Sequence, residues 1–187
     1  MNKKLRYGIV MIASVLINQL FYTIASVLNL PVWLDMTGTA LAALVLEPTA
    51  GLIVGLVNNF YLSVFVYDSS TLFYYAVSAA TALIVGIRMR KDGKIVWKRA
   101  FSTAGLVMVV TAVLSTLLTI WRDGGVPTNY WEIYFHDWAF SLGVPQLLCC
   151  FIGTFIIKVF DVLATGTLVT LFYFLLPKKL KSSNGSK

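Results

Sequence analysis

Long apolar runs separated by short polar breaks dominate the chain. They cover residues 7–29, 34–46, 49–67, 71–87, 100–121 and 139–176. Most reach the length of about 20 apolar residues that a helix needs to cross a bilayer. The run at 34–46 is short and crosses only if it begins within the turn at Leu30-Pro31. Pro31 ends the first run, Glu47-Pro48 separates the second from the third, and Asp68-Ser69-Ser70 forms a tight polar turn. The final run, 139–176, would measure about 57 Å as one helix, nearly twice the hydrocarbon thickness. Gly143 and Pro145 fit a break there. The pattern predicts one crossing over 154–176, preceded by a tilted or re-entrant outer segment over 138–153. The expected fold is all-α: an integral membrane bundle of six transmembrane helices, one domain over 1–177, with a basic, disordered tail over 178–187.

Composition agrees. Hydrophobic residues make up 58% of the chain and charged residues 12%, against about 25% charged in soluble domains. The net charge of +7 would fit a nucleic-acid partner, but the basic residues sit at the ends of apolar runs, in 2–6, 88–99 and 178–187. That placement is the positive-inside pattern. It predicts a multi-pass protein of the cell membrane with both termini and the 88–99 loop cytoplasmic, the aromatic-rich connection 122–137 outside, and no nucleic acid bound. The first run is too long for the apolar core of a signal peptide. Trp33 stands where an interfacial anchor would. Cys149 and Cys150 are adjacent in an apolar run, which fits neither a disulfide framework nor a zinc site.

Polar residues inside the spans carry the functional signal, because they are expensive there and face a bundle interior or a cavity. On the second helix, Asp35, Gly38, Thr39 and Ala42 fall at i, i+3, i+4 and i+7 and share a face. On the third, Gly51, Gly55, Asn58 and Leu62 do so, with Asn59 beside them. On the last, Lys158, Asp161 and Thr165 share one. Asn18 and Gln19 lie at comparable depth on the first. An outward-opening polar cavity would house these groups, and an aromatic loop with Tyr130, Trp131, Tyr134, Phe135 and Trp138 would close it. Structural readings stand beside this one. Lys158 and Asp161 also fit a buried ion pair, Asn58 and Asn59 fit interhelical hydrogen bonding, and Asp35 fits a helix N-cap. Gly51 with Gly55, and Ala76 with Ala80, have the spacing of close helix packing. His136 beside Asp137 reads as a loop residue.

No His-Glu-x-x-His, Gly-x-Ser-x-Gly or Walker motif is present, so neither catalysis, a metal site, a cofactor nor ATP hydrolysis by this chain is expected.

One stretch resembles a known family. Pro31-x-x-Leu34-Asp35-x-x-Gly38-Thr39, an Ala-rich helix, the Pro48 break and Gly51-x-x-x-Gly55-x-x-x-Asn59 resemble the substrate-binding (S) components of energy-coupling factor (ECF) transporters. Phe155-Ile-Ile-Lys158-Val-Phe-Asp161, followed by an apolar helix and Leu176-Pro-Lys-Lys-Leu, looks like the closing helix of that family. The resemblance implies capture of a vitamin or related micronutrient from outside. It further implies docking on a transmembrane coupling subunit and two ATPase subunits. Family members often carry Ala-x-x-x-Ala on the first helix for docking. Here that spacing falls instead at Ala76/Ala80 and Ala100/Ala104. The alternatives are a membrane sensing or scaffold protein, similar to the transmembrane input region of a histidine kinase, and a small stand-alone channel or exporter.

Overall fold

The computed structural model describes residues 2–91 and 94–181. Helices α1 (Lys3–Val27), α2 (Thr37–Val45), α3 (Pro48–Phe65), α4 (Tyr75–Arg88), α5 (Ala100–Asp123), α6 (Tyr130–Ser141), α7 (Gln146–Leu175) and α8 (Lys178–Lys181) account for most of it. A two-stranded hairpin, β1 (Arg90–Lys91) with β2 (Lys94–Ile95), pairs Arg90 with Ile95 between α4 and α5. Five helical stretches are long and apolar enough to cross a membrane: α1, α3, α5, α7, and α4 together with the 3-10 turn before it. The protein is thus a multi-pass, all-α membrane protein.

The helices are turned polar side in. On α1 the buried residues are Arg6, Val10, Ser14, Asn18, Tyr22 and Ala25, one stripe at near-i+4 spacing. Leu5, Ile9, Ile12, Leu16 and Leu20 on its other faces are exposed. In water that pattern would be unstable; against lipid it buries the groups that need hydrogen bonds and leaves apolar ones outside.

At the centre stands α2, with all nine residues buried. At about 1.5 Å per residue it is only about 14 Å long. Both its ends are capped by other elements, because its own N-cap, Met36, offers no side-chain bond. Asn18 Oδ1 of α1 accepts from Gly38 N at 2.6 Å and Thr39 N at 3.4 Å, and Asn18 Nδ2 donates to Thr39 Oγ1 at 3.0 Å. At the other end Arg6 Nη2 donates to the Val45 carbonyl and Arg90 Nη1 to that of Leu44, both at 3.1 Å. Those arginines neutralise the negative end of the helix dipole. Gly38 is required where α2 crosses α1: a Cβ there would lie 1.8 Å from the Ser14 carbonyl oxygen. Pro48 then opens α3 at its first position, where a missing N–H costs nothing.

Several boundaries differ from expectation. Asp35 precedes α2 rather than lying on its face, and Leu34 beside it has a left-handed φ of 56°. The polar connection 122–137 contains the start of α6, whose N-cap Asn129 accepts from Trp131 N and Glu132 N. The long apolar run does break at 142–145, but residues 146–153 form the first turns of α7, not the end of the outer segment. The tail opens with the helical turn α8, and Leu180 accepts from Arg6 Nε at 2.9 Å; residues 182–187 lie outside the described residues. Within the chain, α4 does not pack on α3 through Ala76 and Ala80. Ala76 is exposed, and it is Ser78, Ala82 and Gly86 that meet Gly55, Gly51 and Pro48 of α3.

Candidate ligand cavity

A cavity of about 390 Å³ opens at the end of the bundle where α1, α3 and α5 finish and α7 begins, opposite the basic hairpin, the start of α1 and the end of α7. Its size falls within the range of small-molecule sites, about 300–1,000 Å³. The walls are aromatic and hydroxylated. Tyr22 and Tyr67 stand on one side, joined OH to OH at 2.6 Å. Tyr74 stands on another, its OH 3.0 Å from Thr119 Oγ1. Trp33, Ser78 and Ser115 also line it, with Met36, Leu62 and Val77 as apolar surface.

Four ionisable groups reach the cavity: Asp35, Arg122, Glu132 and Lys158. Lys158 is 5% exposed and its Nζ has Asp161 Oδ2 at 3.8 Å, a charge contact beyond hydrogen-bond length. Glu132 is 7% exposed and accepts from Trp33 Nε1 at 3.2 Å. Burial pushes its carboxyl above the ordinary range, against the pull of Lys158 and the Trp33 bond. Gly153 sets the position of Glu132: a Cβ on that residue would lie 2.6 Å from the Glu132 carbonyl oxygen, so only a glycine lets α6 lie this close on α7. Arg122 is held at the rim by Asp68, Nη2 to Oδ2 at 2.7 Å. Bonds from the Ser70 side chain and backbone hold the Asp68 carboxyl below its usual range.

Of the residues expected at a site, the structure brings Asp35, Asn59 and Lys158 to the cavity wall. Asn59 Nδ2 donates to Ser78 Oγ and to the Gly55 carbonyl, both at 2.8 Å. Asn18 and Thr39 are spent on capping α2. Gln19 Nε2 donates to Asn58 Oδ1 at 2.6 Å, and Asn58 Nδ2 to the Asp35 carbonyl at 3.1 Å, so this pair fastens the connection carrying Asp35. Asp161 Oδ1 accepts from Trp33 N at 3.0 Å and Leu34 N at 2.8 Å. Its outlook is onto a second, smaller cavity of about 100 Å³, which Ala100 and Ala104 also line. Trp131 does not form a lid; its Nε1 donates to the Asn29 carbonyl at 2.7 Å and ties α6 to the end of α1. His136 is a buried helical residue, not a loop one. Trp33, expected as a membrane-surface anchor, is part of the cavity wall.

Glu132, Arg122, Tyr67 and Tyr74 were missed because they stand at helix ends and connections, where periodicity carries no signal. Asn129-x-x-Glu132 does have the spacing of a helix-opening box and marks the start of α6. Here the acid turns away from the cap to Trp33. Comparison of the chain with known protein families, curated proteins and solved structures returns no match.

Proposed function

We propose that the chain is the membrane-embedded substrate-capture subunit of an ECF-type ABC importer, taking a vitamin or related micronutrient from outside the cell. The observation that carries this reading is the polar and aromatic cavity that opens at the end of the bundle opposite the basic hairpin. Positive charge marks the cytoplasmic end of a membrane protein, so the cavity faces outward. Its two most buried charged groups, Lys158 and Glu132, stand on that wall held by one charge contact at 3.8 Å and one neutral hydrogen bond at 3.2 Å.

In this reading the path crosses the membrane six times. The connection before α2 together with α2 supplies the sixth crossing, alongside the five long helices. An even number returns the C-terminal helix to the side of the N-terminus, in keeping with the Arg6 bond to Leu180. The connection over 124–129 and α6 form the outer roof. Release to the inside would be powered by partner subunits: a transmembrane coupling protein and two ATPases.

The test is purification from native membranes in mild detergent through a C-terminal tag, followed by mass spectrometry. Near-stoichiometric recovery of a coupling subunit and two ATPases is expected. Recovery of the chain alone, even after crosslinking, would refute the energised-importer reading.

A further inference from the structure

The charges around the cavity do not balance. Arg122 is already matched by Asp68 at 2.7 Å. Lys158 is matched by Asp161 at 3.8 Å, on the same helix at i, i+3. Asp35 and Glu132 have no cation of their own and share the field of that same lysine. Among the described residues neither has a cation within 4.0 Å. Glu132 takes one neutral hydrogen bond, from Trp33, and the Asp35 side chain takes none from another residue. Three carboxylates sharing one lysine are costly in a low-dielectric bundle. A bound cation would relieve that cost.

The walls point the same way. Tyr22, Tyr67, Tyr74 and Trp33 present aromatic rings to the same space. Aromatic faces attract cations and stack on flat conjugated groups. An anionic ligand reaching Lys158 or Arg122 would sit among Asp35, Asp68, Glu132 and Asp161, four carboxylates against two cations. Lys158 Nζ, with no acceptor at hydrogen-bond distance, remains able to hold one neutral acceptor atom of a ligand.

We propose that the cavity selects a small organic cation with a flat aromatic or conjugated body, its positive group placed between Asp35 and Glu132. This rests on the reading of the cavity as a capture site and narrows the substrate to one charge class.

Three probes of one shape and different charge test it: benzamidinium, benzamide and benzoate. Each is titrated against the detergent-purified full chain, with Trp33 in the wall as a fluorescence reporter and calorimetry as a second readout. Benzamidinium should bind at least about tenfold more tightly than benzamide, the ratio a charge-assisted bond supplies, and benzoate should bind more weakly still. In Glu132→Gln and Asp35→Asn the preference for benzamidinium over benzamide should fall by about tenfold. Equal or tighter binding of benzamide or benzoate, or failure of all three to bind, overturns the cation assignment. So does an undiminished preference in both variants. The unmodified chain alone reads the charge preference, so a variant that fails to fold does not shield the proposal. Co-purification of the coupling subunit is independent of ligand charge. A preference for benzoate would therefore remove the cation and leave the importer reading standing.

Discussion

Asn18 is where a capping role and a ligand-binding role can be separated most cleanly. It is fully buried, and its side-chain amide serves three groups at the start of α2. Leucine has nearly the same branched skeleton, so Asn18→Leu deletes the hydrogen bonds without opening a hole. The largest loss is the 2.6 Å bond from Gly38 N. That amide has no other partner in the first turn of the helix, and Gly38 is buried. A buried donor left unsatisfied costs about 1–3 kcal/mol. The 3.4 Å contact with Thr39 N adds little, and the Thr39 hydroxyl can turn to a carbonyl one turn back. A total of about 2–3 kcal/mol follows, which for a chain of this length is a fall in melting temperature of roughly 5–10 °C. Thermal unfolding in detergent, followed by intrinsic fluorescence, reads it. Because Asn18 is absent from the cavity wall, benzamidinium affinity of the folded variant should stay within about threefold of the unmodified chain. A melting point within 2 °C of the unmodified chain would refute the capping argument. If it came with lost ligand affinity, Asn18 would be a ligand contact after all.

Three further outcomes are expected. Gly38→Ala should abolish folding or cost more than about 3 kcal/mol, since its Cβ would meet backbone 1.8 Å away. Gly105→Ala, with nothing within 4 Å, should be neutral or gain up to about 1 kcal/mol; expression level and melting temperature compare the two. Lys158→Met leaves Asp161 without its cation and should cost about 3–5 kcal/mol, and adding Asp161→Asn should recover more than half of that. Unaltered stability with lost ligand affinity in the single variant would instead make Lys158 a ligand contact. The third outcome concerns pH. Glu132 faces Lys158, Asp161 and Trp33, and burial raises its carboxyl above the ordinary 4.5. As pH rises through the window from 4.5 to that raised value, the unfolded chain ionises first, so the empty protein should lose stability. Benzamidinium affinity, which needs the ionised carboxylate, should rise through the same window and then level off. Glu132→Gln should flatten both curves.

Much of the architecture was legible along the chain. Apolar runs of spanning length, the Glu47-Pro48 break and the placement of lysine and arginine required a helical membrane protein. The reason is elementary: backbone groups in lipid must be bonded within their own segment. The same logic flagged Asp35, Asn59 and Lys158, because buried polar side chains in a span need a partner or a cavity. What could not be read was which of the two. Asn58 and Asn59 are neighbours in sequence but about 100° apart around α3. One holds the connection before α2, and the other meets Ser78 on the cavity wall.

Periodicity groups residues on one helix; it does not say which helix that face meets. Asn18 therefore looked like a ligand contact and proved to be the N-terminal cap of a helix about 20 residues away. Arg6 and Arg90, plain basic flanks in sequence, cap the other end of α2. Glu132 became a cavity residue only because Gly153 lets α6 lie against α7. The sequence by itself determined the solvent, the helices and their breaks, since these depend on local hydrophobicity and backbone chemistry. The site's membership was decided by tertiary structure, because hydrogen bonds and charge pairs between helices depend on which faces meet, and no window of the chain contains that information.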